Sequence, residues 1–103
     1  MTGAVFSGDV VRFVRGEENV RRFKLEDSRQ LERVSCNQCG ASIGTCIPVL
    51  NIYDLCVGIL QDFEFKPAIH VNYQDRVVSM PDGLPKFRDL PKSVGGTGKL
   101  MEE

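Results

Sequence analysis

What most constrains this chain is how short its apolar segments are. Each is rich in β-branched or aromatic residues. Most end within a few positions at a glycine, a proline or a polar cluster, so no segment carries a convincing long helix. Residues 9–14, Asp-Val-Val-Arg-Phe-Val, read as a strand closed by the turn Arg15–Asn19. In residues 20–25, Phe23 and Leu25 alternate with Arg22 and Lys24, the period of a half-buried strand. Glu26-Asp27-Ser28 is a polar turn. Residues 30–35 alternate again, with Leu31, Arg33 and Ser35 on one face and Glu32 and Val34 on the other.

Residues 41–47 form a further apolar strand, stopped by Pro48. Residues 51–60 are apolar enough for a central strand, with Gly58 as a bulge or point of close approach. A helix over 50–60 competes, but Gly58 and the β-branched residues count against it. Residues 68–73 and 76–80 are expected as two more strands. From Pro81 to Pro91, three prolines and one glycine impose an irregular course, with Leu84, Phe87 and Leu90 as anchors. The expected fold is all-β, in one domain over 1–93 with a glycine-rich mobile tail over 94–103.

Charge excludes some partners. Thirteen basic and 14 acidic side chains leave a net charge of -1, which gives no electrostatic footprint for nucleic acid or an acidic membrane. The basic run Arg12, Arg15, Arg21, Arg22 and Lys24 is interrupted by Glu17, Glu18, Glu26 and Asp27. It reads as solvated strand faces, with a patch for an anionic ligand as the alternative. No apolar run approaches the ~20 residues of a membrane span, and the N-terminal residues lack a secretory pattern. A cytoplasmic location is therefore expected.

Four cysteines, Cys36, Cys39, Cys46 and Cys56, carry the chemistry. Cys36-Asn37-Gln38-Cys39-Gly40 lies between two expected strands. At this spacing two thiols can face one tetrahedral zinc, and Gly40 permits the left-handed turn that closes the loop. A redox pair would sit at a helix start, and no helix is expected after Gly40. A disulfide or free thiols remain the alternatives. Structural zinc takes four ligands, so Cys36 and Cys39 are half a site. Cys46 and Cys56 read as buried small hydrophobes. His70, the single histidine, reads as a strand residue satisfied by a backbone partner, with a ligand or base as the alternative.

Five motifs in order resemble the glutathione-dependent formaldehyde-activating (GFA), CENP-V-like family: Phe13-Val14-Arg15-Gly16-Glu17, Cys36-x-x-Cys39-Gly40, Val57-Gly58-Ile59-Leu60, Pro67-Ala68-Ile69-His70-Val71 and Asp82-Gly83-Leu84-Pro85-Lys86-Phe87. The likeness runs from about Val10 to Pro91. It implies a β-tent fold. In that family the Cys-x-x-Cys pair shares a structural zinc with an N-terminal Cys-x-Cys. A second zinc, on further cysteines, serves the condensation of glutathione with formaldehyde, and some members are carbon–sulfur lyases.

Only Cys36 and Cys39 carry over as metal ligands. The cysteines of the catalytic zinc have no counterpart, and the family's aromatic near Val77-Val78 is missing. The resemblance therefore implies an N-terminally truncated domain with the family activity lost and no catalytic residue of its own, able at most to bind a glutathione-like small molecule. Sheet edges left open by the absent strands would be covered by a homodimer or a docked partner. A dimer could join two cysteine pairs around one zinc.

Overall fold

The computed structural model describes residues 1–24, 26 and 30–102. Five antiparallel strands form one sheet: β1 (Gly3–Ser7), β2 (Val20–Phe23), β3 (Glu32–Cys36), β4 (Ser42–Ile47) and β5 (Ile52–Cys56), in the order β1-β5-β4-β3-β2. Every helical element among the described residues is a single 3-10 turn. The fold is all-β, as the short apolar segments imply.

Strand register sorts the side chains onto two faces, because residues directly opposite in an antiparallel pair share a face. Phe23, Arg33, Thr45, Asp54 and Val5 lie in one row across all five strands. Arg22, Val34, Gly44, Leu55 and Ala4 form a row on the opposite face. Val34, 1% exposed, and Cys46 are the buried hydrophobic residues of this sheet. Next to that face Arg22 donates to the Tyr53 hydroxyl at 2.7 Å and approaches Glu32 at 3.7 Å. Gly44 is required where β4 passes β5: a Cβ there would collide with the Asp54 carbonyl oxygen. A bulge between Val34 and Ser35 shifts the β3–β4 register just before the cysteine turn.

The strand expected over 9–14 is not formed. The chain leaves the sheet at Ser7, whose hydroxyl accepts from the Asp9 N–H at 3.2 Å and opens a 3-10 turn over Gly8–Val10. The strand lies instead at Gly3–Ser7, selected by its pairing with β5. The expected central strand over 51–60 is shorter, Ile52–Cys56, and lies second from the edge, with β4 in the middle. Leu25, at the end of the second expected strand, and most of the Glu26–Ser28 turn lie outside the described residues.

The chain divides into two compact units, Met1–Phe65 and the residues from Lys66 onward. Among the described residues the second unit forms no strand longer than an isolated bridge. The expected strands over 68–73 and 76–80 are replaced by backbone hydrogen bonds among three irregular segments. His70 N–H donates to Pro85 O at 2.9 Å, Phe87 N–H to His70 O at 2.9 Å, and Arg88 N–H to Lys99 O at 2.8 Å. Asn72, at φ 52°, breaks the first segment into a 3-10 turn over Tyr73–Asp75. Residues 94–102, set apart in the sequence as a tail, are tied back. Gly98 N–H donates to Leu90 O at 3.1 Å and Met101 N–H to Lys86 O at 2.7 Å. Asp89 accepts from the Thr97 N–H at 3.0 Å and its hydroxyl at 2.9 Å.

Candidate functional site

The cysteine motif forms the turn that joins β3 to β4. Cys36 ends β3, and its N–H donates to Ala41 O at 2.9 Å, closing the hairpin. Gly40 N–H donates back to Cys36 O at 2.9 Å, with Gly40 at φ 76°. That left-handed conformation strains any residue with a Cβ, although the space around Gly40 is open. Asn19 braces the turn from outside the hairpin: its carbonyl accepts from Asn37 N–H at 2.8 Å and its side-chain oxygen from the Gln38 amide at 3.3 Å.

The turn is built around one sulfur. Gln38 N–H points at Cys36 Sγ from 3.4 Å. The Cys39 N–H, the Gln38 N–H and the Cys39 thiol together stabilise the Cys36 thiolate and hold that thiol below its ordinary pKa. Both thiols of the motif are free, Cys36 half-buried and Cys39 exposed. N–H groups converging on a sulfur suit it to metal ligation, since the thiolate is the ligand form.

The other cysteines are placed elsewhere. Cys46 is buried opposite Glu32 and Tyr53. Cys56, on the opposite face of the sheet, lies 3.5 Å from the Ser42 hydroxyl. Among the described residues no three His, Cys, Asp or Glu side chains group together as a metal site. The donor chemistry of Cys36 and Cys39 thus fits half of a tetrahedral thiolate centre, and further donors would have to come from elsewhere.

His70 is not a strand histidine with a backbone-bonded ring. Its Nε2 lies 2.6 Å from Asp82 Oδ2, and its ring packs at 5.8 Å from that of Tyr73. Asp82 also accepts from Lys86 Nζ at 2.9 Å and from the Leu84 N–H at 3.0 Å. These bonds, with the Lys86 contribution first, then His70 and Leu84, hold the Asp82 carboxyl well below the usual carboxylate range. Lys86 is 2% exposed and also donates to the Leu84 carbonyl at 2.8 Å. Tyr73 completes the cluster: its hydroxyl accepts from Met80 N–H at 2.8 Å, and the Arg76 guanidinium stacks 4.4 Å from its ring centre.

Sequence reasoning singled out His70 but not the group around it. The Asp82-x-x-x-Lys86 spacing is the one visible signal, and a lysine is ordinarily read as exposed. Comparisons of the chain with family models, with characterised proteins and with solved structures find no match.

Proposed function

We propose that this chain is a GFA/CENP-V-like domain that serves as a non-catalytic binding and assembly module, with Cys36 and Cys39 contributing half of a structural zinc site. The observation that carries this reading is the Gln38 N–H aimed at Cys36 Sγ from 3.4 Å inside the turn that also carries Cys39, without a third metal donor grouped beside the pair among the described residues. Tetrahedral zinc would then draw its remaining ligands from a second copy of the chain or from a partner. Exposed Val5 and Phe23 on one sheet face, and the open edges of β1 and β2, support association in the same direction.

The β-tent family assignment rests on the five ordered motifs. Activation of a substrate by zinc needs about three protein ligands and an open position, and the described residues group no such set. The reading therefore assigns no catalytic step to the chain by itself. A glutathione-like thiol remains within its scope as a ligand rather than a substrate.

Native mass spectrometry of protein purified without chelator tests the reading. The expected species is a zinc-bearing dimer or partner complex. The Cys39→Ser variant should lose metal and association together. A metal-free monomer at micromolar concentration would overturn it. So would turnover of glutathione and formaldehyde above the uncatalysed background.

A further inference from the structure

Beside the cysteine turn, the sheet carries an open cleft of about 240 Å³ lined by Arg21, Phe23, Arg33, Val34, Ser35 and Ser42. Its composition follows from register. Arg21 pairs with Ser35, and Phe23 with Arg33, so all four share one face and the two arginines are diagonal neighbours. Ser42 pairs with Ser35 on the next strand. Diagonal neighbours stand about 7–8 Å apart, within reach of one another for side chains as long as arginine.

Neither guanidinium makes an ion pair among the described residues. Arg21 stacks on the exposed Phe23 ring at 5.5 Å, and Arg33 bonds to no carboxylate of the described residues. The row that contains Arg33 does hold one acid, Asp54, but Asp54 stands two strands away, roughly 10 Å. Two like charges held side by side repel unless an anion lies between them. Guanidinium groups meet carboxylate and phosphate oxygens with paired N–H donors, and the two serine hydroxyls can add further bonds. Phe23 offers an apolar surface, 41% exposed, to the body of the same ligand.

We propose that this cleft is a binding site for a small organic oxyanion, a carboxylate or phosphate carried on an aromatic or apolar body. The site uses none of the cysteines, so anion binding is tested separately from metal binding, and it shares Phe23 with the sheet face available for association. The oxyanion lies between Arg21 and Arg33 with Ser35 and Ser42 as additional donors, and the organic body rests on Phe23.

Amide chemical shifts of the full chain, titrated separately with phenyl phosphate, benzoate and inorganic phosphate, test the site. Saturable shifts are expected at residues 21–23, 33–35 and 42, at millimolar ligand. The better of phenyl phosphate and benzoate identifies the anion type. Inorganic phosphate alone should bind more weakly, for want of the Phe23 contact. The Arg21→Gln/Arg33→Gln double variant should weaken binding about tenfold or more, and Arg12→Gln, outside the cleft, should not change it. Both arginines are exposed, so the spectrum of the double variant elsewhere reports that the fold is intact. No saturable shift at millimolar ligand, or equal affinity in the double variant, would overturn the proposal.

Discussion

Lys86, almost wholly buried, donates from its ammonium to Asp82 Oδ1 at 2.9 Å, and the other oxygen of that carboxylate lies 2.6 Å from His70 Nε2. One carboxylate thus adds a side-chain tie between the His70 segment and residues 82–86, which backbone hydrogen bonds already join. A bridge of this kind has different consequences depending on which end is removed.

Asp82→Ala takes the carboxylate from a buried ammonium. Breaking a buried pair from one side is costly, so Asp82→Ala should clearly lower stability. Lys86→Met keeps the buried stem and leaves Asp82 partly solvated, so it should stay within about 1 kcal/mol of the parent. Urea unfolding of the two variants should separate them in this order. Equal destabilisation would mean that loss of the ion pair itself, rather than a buried ammonium deprived of its carboxylate, weakens the segment.

Acid should unfold the second unit through the same residue. The folded pKa of Asp82 lies below its unfolded value, so its contribution is complete above the unfolded pKa of ~3.9 and is lost as pH falls from there. Thermal melts of the parent should fall below about pH 4, and Asp82→Asn should melt with a flatter acid limb. An unchanged limb would assign acid sensitivity to other carboxylates.

Asp54 should behave in the opposite sense. Burial raises its pKa, and its Oδ1 is buried without a hydrogen-bond partner among the described residues. A carboxyl that prefers its proton in the folded state loses stability as pH rises from its unfolded value through its folded value. Asp54→Asn keeps the shape and removes the charge. It should stabilise the protein at neutral pH by under about 1 kcal/mol, because the side chain is only partly buried, and leave stability unchanged near pH 3.

The two turn and strand glycines give a graded test of the hairpin. Gly44→Ala drives a Cβ into the β5 backbone at the middle strand of the sheet, and is expected to cost more than about 3 kcal/mol or prevent folding. Gly40→Ala meets open space and bears only the left-handed backbone penalty, about 1–2 kcal/mol. Circular dichroism melts of both variants measure the contrast.

Four of the five strands, β2 to β5, were legible because alternation and turn residues specify them locally. The same holds for the cysteine hairpin: Gly40 after Cys39 dictates a left-handed closure, and the turn aims the Gln38 N–H at Cys36 Sγ. β1 was not legible. Gly3–Ser7 is no more strand-like in sequence than residues 9–14; its identity comes from pairing with β5, some fifty residues away.

Sequence by itself determined the all-β class, the position of the cysteine turn and the irregular course after Pro81, since these follow from short-range backbone preference. Only the tertiary structure decided that Arg21 and Arg33 share a face with Phe23, that Asp54 lies partly buried, and that Lys86 is inside. Those outcomes depend on register and on which segment covers which, where the desolvation of a charge is balanced by partners remote in the chain.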